Sequence, residues 1–204
     1  NITFESKDDA KSNGNTIGSW LTHPAFTFGD TELNGIWVGK FELTGDTTNP
    51  TIKPNVESLR NQNVSTLFLT TQKLSETSAM LKNIEWGAIA YLTTSIYGQG
   101  LTEVRINNSS TFKTGCSASV ENGTAYNGCE NAYNTTTGYL ASTTGNISGI
   151  YDMSGCSWEY VMGVMEDSLN SNKPISQVVN LDNRFYDIYT YGISYNACLL
   201  YTSP

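Results

Sequence analysis

The clearest alternation of apolar and polar positions lies between residues 83 and 95. Its apolar side chains recur at the spacing of one face of an amphipathic helix: Ile84, Ala88, Tyr91 and Leu92. Asn83 suits an N-cap, Glu85 places a negative charge in the first turn, and Gly98 follows as a stop signal. The pattern therefore predicts a helix over residues 83–95.

Strand signals are shorter and more scattered. Residues 36–43 are rich in β-branched and aromatic types and are predicted to form a strand, whereas residues 66–71 fit a strand or a helix. Residues 115–145 are almost all small or polar, which predicts a long irregular excursion. We expect an α+β domain with one main helix, short and mostly antiparallel strands, and at least a third of the chain irregular.

Composition narrows the function classes. Charged residues are only 15% of the chain, below the ~25% typical of soluble domains, while 12 Tyr and 18 Gly suit a loop-rich extracellular protein. The net charge of −8, with no run of Lys or Arg, excludes nucleic acid as a partner because a phosphate backbone would be repelled. No apolar stretch approaches the ~18 residues of a membrane span.

Four cysteines are present, and two of them lie in the same polar stretch. Cys116 and Cys129 are spaced to close a loop by a disulfide, which is our prediction; two free thiols are the alternative. A zinc site is not indicated, because no C-x-x-C occurs and His23 is the single histidine. Cys156 has no obvious partner.

Three segments, in order along the chain, resemble motifs of one family. The first, residues 36–44, contains Lys-Phe-Glu-Leu-Thr, and the second, residues 85–91, begins with Glu-Trp. The third, residues 145–160, contains Gly-Asn, then Tyr-Asp-Met-Ser-Gly, then Trp-Glu-Tyr. All three are similar to segments of the formylglycine-generating-enzyme family, also called the sulfatase-modifying-factor family. The resemblance implies a C-type-lectin-like fold.

The resemblance also implies structural roles for the matching residues, namely Trp37, Lys40, Glu42, Glu85, Trp86, Gly149, Tyr151, Asp152, Met153, Gly155, Trp158 and Glu159. We expect the apolar residues of the three segments to share one core, made of Trp37, Phe41, Trp86, Ile89, Tyr151, Met153 and Trp158. Glu85, Glu159 and Asp152 are interpreted as carboxylates bonded to backbone, with acid/base or metal-ligand roles as the alternative.

Two chemical features of the family, its calcium site and its catalytic cysteine pair, are incomplete in this sequence. The family's calcium site lies near its Trp-Glu segment. In this chain Cys156 replaces the Asn of that segment, and a thiol is a poor calcium ligand. Glu159, a possible oxygen ligand, is retained. The family's catalysis depends on a copper-binding cysteine pair after the Trp-Glu step, where this chain offers only Cys198. We expect no cofactor and no catalytic residue, with calcium left open.

The chain ends affect the domain prediction. Residues 198–204 read as the translation of a common sequencing-library transposon adapter, and the chain begins at Asn1 rather than Met. We expect an environmental fragment in which residues 1–18 are a flexible lead-in, residues 19–197 form a single incomplete domain, and residues 198–204 are not native. A genuine apolar C-terminal strand is the alternative. A truncated domain would leave Val161, Met162 or Met165 more exposed than is usual for their residue types.

Tyrosines in polar loops give the best hint about function, because Tyr offers rigid amphipathic contact area. Candidate ligand-binding residues are Tyr126, Tyr133 and Tyr139. The leading hypothesis is a non-catalytic bacterial binding or adhesion module, extracellular or at the cell surface, with a glycan or protein ligand. The alternatives are a truncated formylglycine-generating-type oxidase and a structural surface or pilus-associated protein.

Overall fold

The computed structural model describes residues 3–5, 20–166 and 181–190. Within them the protein is a mixed α+β structure of two helices and short, mostly antiparallel strand pairs. The helices are α1 (Val64–Thr71) and α2 (Asn83–Thr94). The strands are β1 (Thr3–Glu5), β2 (Trp20–Thr22), β3 (Thr27–Phe28), β4 (Thr31–Glu32), β5 (Thr44–Gly45), β6 (Pro50–Thr51), β7 (Cys116–Ser117), β8 (Asn131–Ala132), β9 (Gly163–Glu166) and β10 (Asp187–Thr190).

Both helices begin at a side-chain cap. Asn63 caps α1 by accepting the N–H of Thr66 at 2.8 Å, so the ambiguous 66–71 stretch is helical. The prediction of α2 is confirmed within one residue at its C-terminus. Its N-cap, however, is Lys82 rather than Asn83, because the Glu85 carboxylate reaches back to accept the N–H of Lys82 at 2.8 Å.

The strands pair locally rather than in one large sheet. Four pairs are antiparallel, β1 with β2, β3 with β4, β5 with β6, and β7 with β8; β9 and β10 pair in parallel, with Gly163 opposite Asp187. Thr3–Glu5, which fall within the predicted lead-in, pair with β2. Residues 6–18 of that lead-in and the predicted non-native tail, 198–204, lie outside the described residues.

The predicted strand over residues 36–43 does not form. The carbonyl of Lys40 accepts the N–H of Tyr151 at 2.9 Å, and the carbonyl of Leu43 accepts the N–H of Leu59 at 2.7 Å. These bonds lead to two different segments, so no ladder with a single partner can develop. The residue types were right for a strand, but strand formation depends on a neighbour that this segment lacks.

The aromatic core is built around Tyr151, which is 2% exposed. Its ring lies 5.3 Å from Phe41 and 6.2 Å from Tyr133, centroid to centroid, and Ala141 completes the cluster. The Lys40 ammonium lies 5.3–5.7 Å from all three rings, within cation–π range. The core therefore joins the first and third motif segments.

The predicted common core is wrong for two of its tryptophans. Trp37 and Trp158 are 102% and 95% exposed, while Trp86 and Met153 are half-buried. Trp37 lies on the segment that fails to form a strand, so no second layer covers it. Met162 is 3% exposed, contrary to the expectation of an uncovered methionine, and its N–H bonds to the carbonyl of Leu81.

Among the described residues, no helix has the length and apolar character required to cross a bilayer.

Candidate functional site

The three motif segments come together in space. Besides the Lys40–Tyr151 backbone bond, the Glu42 carboxylate accepts the N–H of Ser157 at 3.2 Å. The segment of residues 85–91 contacts the segment of residues 145–160 through a tryptophan side chain, because the indole Nε1 of Trp86 donates a hydrogen bond to Glu159 Oε2. Residues far apart in sequence thus form one polar cluster, which we call the carboxylate cluster: Glu42, Asp152, Glu159 and the thiol Cys156.

Asp152 anchors this cluster to the backbone. It is 2% exposed and has a φ of +68°. Its carboxylate accepts the side-chain amide of Asn107 at 2.7 Å and the N–H of Gly115 at 2.9–3.0 Å. The side chain was expected to accept backbone N–H groups in the turn before Ser154 and Gly155; it accepts a backbone N–H, but that of the distant Gly115.

Gly155 is required by the same arrangement. Its φ is +86°, and a Cβ there would lie 2.3 Å from the carbonyl oxygen of Asn107. The carbonyl of Asn107 accepts the N–H of Cys156 at 3.0 Å, so the turn is held directly against residue 107. A side chain at position 155 would break this contact.

The carboxylate cluster holds its protons unusually tightly. Burial first, and then the neighbouring Asp152, raises the pKa of Glu42 to about 8. Burial raises the pKa of Asp152 to about 7, against the opposing effect of its hydrogen bond from Asn107. Burial also raises the pKa of Glu159, although the residue as a whole is exposed, and raises that of the Cys156 thiol. Desolvation by burial is the largest cause for all four groups.

These donors do not fit the metals that the resemblance implies. Asp152 is engaged with Asn107 and Gly115, and Cys156 remains a neutral, soft thiol beside Glu42. No group of three or more metal-ligating side chains occurs in the described ranges. Cys198, the candidate for a copper-binding pair, lies outside them. In the described residues the cluster is held together by hydrogen bonds to Asn107, Gly115, Ser157 and Trp86.

The predicted disulfide is confirmed. Cys116 and Cys129 are bonded, with their Cα atoms 5.3 Å apart, inside the range that disulfides require. Cys116 belongs to β7 and is fully buried, and the bond closes the polar excursion beside strand β8. Cys156 is a free thiol.

An open cleft lies on the other side of Ser157. Its volume is about 300 Å³, and its lining consists of Leu59, Arg60, Asn61, Gln62, Leu67, Phe112, Ser157, Trp158 and Tyr160. Trp158 is 95% exposed and Tyr160 is 55% exposed, so two aromatic side chains on one wall are open to solvent. We call residues 157–160 the wall segment.

The remaining lining residues include polar side chains and one more aromatic ring, that of Phe112. The Arg60 guanidinium lies 3.7 Å from the centroid of the Phe112 ring, a stacking distance. Glu57 accepts a hydrogen bond from Arg60 at 2.8 Å, which neutralises its charge, while the buried Arg60 Nε has no partner. Asn61 and Phe112 both adopt positive φ, at 59° and 53°. A guanidinium held by Glu57 and stacked on Phe112 thus lines the cleft together with the exposed aromatics.

The tyrosines predicted to bind a ligand do not share a site. Tyr133 is half-buried and packs against Phe41 and Tyr151 at the edge of the core. Tyr126 is 45% exposed, and its backbone is paired with Asn108 and Ser110. Tyr139 is half-buried in the turn of residues 138–141. None of the three lines the cleft.

Sequence reasoning missed the cleft because its lining comes from three separated stretches: 59–67, Phe112 and 157–160. The available signal was Trp158, which the motif reading assigned to the core. Nothing in the sequence placed Arg60 or Phe112 opposite it.

Comparison with protein-family models gives no match, and no curated protein sequence matches the chain. The assignment of function therefore depends on the geometry of the cleft and the cluster.

Proposed function

We propose that the protein is a non-catalytic binding module, extracellular or at the cell surface, and that its cleft takes a saccharide. The observation that carries this proposal is Trp158, a tryptophan almost fully open to solvent on the wall of a cleft. A large aromatic ring contributes most to binding when it is preformed and desolvated by a ligand.

The chemistry of the cleft matches a sugar ring. A saccharide has an apolar C–H face, which stacks on an aromatic ring, and hydroxyl groups at its edge. Trp158 and Tyr160 supply the ring surface, while Asn61, Gln62 and Ser157 supply polar groups around it. Because Glu57 already neutralises Arg60 and the net charge is −8, a neutral saccharide is favoured over an acidic one.

The proposed location and the absence of catalysis have separate supports. The Cys116–Cys129 disulfide is typical of proteins in oxidising compartments. The free thiol Cys156 has a raised pKa and is therefore a poor nucleophile and a poor copper ligand. The oxidase alternative has no support among the described residues, and assay of a cysteine-containing sulfatase peptide with copper and oxygen would test it.

A glycan array carrying neutral and acidic saccharides tests the proposal with the 204-residue chain. We expect binding to neutral glycans that is lost in Trp158→Ala and retained in Trp37→Ala. Trp37 is the matched control because it is equally exposed and does not line the cleft. Binding only to displayed peptides, or glycan binding unaffected by Trp158→Ala, would overturn the saccharide assignment.

A further inference from the structure

The turn that follows helix α2 has an unusual distribution of side chains, and we call its residues 95–101 the apolar turn. Its exposed side chains are apolar: Ile96, Tyr97 and Leu101 are 91%, 77% and 106% exposed. Side chains reach such values only when they stand clear of the surrounding surface. Gln99, the amide of the turn, is directed inward and donates through Nε2 to two backbone carbonyls, at 3.0 and 2.6 Å. An ordinary surface loop has the reverse arrangement, with polar side chains in water and its large apolar ones covered.

The backbone of the apolar turn is fixed by hydrogen bonds within the protein. The N–H groups of three successive residues, 98–100, bond to the carbonyls of Thr93 and Ser95 at 2.7–3.1 Å. Position 98 requires glycine, because a Cβ on Gly98 would lie 2.1 Å from the carbonyl oxygen of Leu92. The turn is therefore preorganised to present its apolar side chains, and these three backbone donors do not depend on water.

The two segments that build this face carry no charged residue. No Asp, Glu, Lys or Arg occurs in residues 86–102 or in residues 131–151, which include the two carbonyls bonded by Gln99. The chain as a whole nevertheless has a net charge of −8. That charge repels an anionic surface, whereas a bilayer of zwitterionic lipids is not repelled. A contact made through the apolar turn therefore suits an apolar partner without net charge.

We propose that the apolar turn inserts into the interfacial region of a neutral lipid bilayer. Because Ile96 and Leu101 stand clear of the surface, they reach between headgroups while the rest of the protein stays in water. Tyr97 is amphipathic, as are the aromatic residues enriched at membrane interfaces. A specific protein interface uses about 20–30 residues a side, far more than this turn offers, whereas a small apolar anchor is sufficient for weak, reversible membrane binding. The proposal does not rest on the saccharide assignment.

Co-sedimentation of the 204-residue chain with phosphatidylcholine vesicles tests the proposal. We expect the wild type to bind, and the partition coefficient to fall by about tenfold or more in the double variant Ile96→Ser with Leu101→Ser. The double variant should keep the wild-type Tm, because neither side chain is buried. Replacing part of the phosphatidylcholine by phosphatidylserine should weaken binding of the wild type, because the chain is acidic.

The control is Trp158→Ala, which removes an equally exposed apolar side chain outside the apolar turn and should bind vesicles as the wild type does. Absence of wild-type binding would overturn the proposal, as would equal binding by the double variant or an equal loss in Trp158→Ala. Self-association in analytical ultracentrifugation that is lost in the double variant, without vesicle binding, would instead assign the turn to a contact between copies of the chain. Glycan binding is measured separately, so failure of either proposal leaves the other measurable.

Discussion

Tyr151 and Trp158 belong to the same short motif segment, yet one is 2% exposed and the other is 95% exposed. Around Tyr151, rings from two other segments and a hydrogen bond from its hydroxyl to the carbonyl of Tyr133, at 2.7 Å, close the site. Trp158 lines an open cleft and nothing in the described residues covers its ring. The two residues are similar in type and close in sequence. Whether each ring is buried in the fold or open to solvent depends on which other segments pack against it.

The largest expected effect comes from removing the interior ring. Tyr151→Ala should lower the free energy of unfolding by about 3–5 kcal/mol, because a fully buried aromatic side chain leaves a cavity. Tyr151→Phe, which removes only the hydroxyl bond, should cost about 1 kcal/mol. Chemical denaturation of both variants measures the difference. A loss below about 1 kcal/mol for Tyr151→Ala would show that the region is not the core.

The disulfide comes next. The double variant Cys116→Ser with Cys129→Ser should lose about 3 kcal/mol of stability, the chain-entropy value for a loop of this size. Thermal denaturation under non-reducing conditions provides the measurement, with Tm falling by about 2–4 °C per kcal/mol. The single variants should match the double one, because either change opens the bond. Non-reduced peptide mapping that found both thiols free would contradict the assignment.

The carboxylate cluster should make stability depend on pH with a defined sign. Because the folded-state pKa values of Glu42 and Asp152, about 8 and about 7, lie above ordinary carboxyl values, the folded protein binds more protons than the unfolded chain between about pH 4 and pH 8. Stability is therefore highest below that window and falls as the pH rises through it. Tm measured from about pH 5 to pH 8.5 should decrease.

Glu42→Gln should flatten this pH profile, with a higher Tm than wild type at about pH 8.5 by a few degrees and little change at about pH 5. Glu103→Gln serves as the control and should leave the profile unchanged. A Tm that rises with pH across this range would show that the acids are stabilised as anions.

The smallest effect on stability is expected for the exposed tryptophans. Trp158→Ala and Trp37→Ala should each change the free energy of unfolding by no more than about 0.5 kcal/mol, because neither ring is buried. Denaturation curves for both variants measure this directly. A loss for Trp158→Ala comparable to that of Tyr151→Ala would remove the contrast between the two regions.

The sequence predicted the features that depend on local pattern. The α2 helix followed from apolar spacing, and the Cys116–Cys129 bond followed from two cysteines in one polar stretch. The role of Asp152 as an acceptor for backbone N–H groups was also predicted, although its partner Gly115 lies far away in sequence. The C-type-lectin-like fold stays a prediction, since the structure shows only the coarser α+β class.

What the sequence could not supply was the arrangement of segments across space. Residues 36–43 have the composition of a strand, but their hydrogen bonds divide between Tyr151 and Leu59. Tyr133 lies in a polar stretch typical of a binding loop, yet its ring packs against the core. The cleft required Arg60 and Phe112 to face Trp158, a juxtaposition that no spacing along the chain encodes.

The central claim is that a saccharide ligand binds to the exposed ring of Trp158. The most direct measurement is calorimetric titration of the 204-residue chain with the strongest neutral saccharide found on the array, compared between Trp158→Ala and Trp37→Ala. We predict that Trp158→Ala weakens binding by about tenfold or more, while Trp37→Ala stays within about twofold of wild type. Equal affinities in the two variants would contradict the claim.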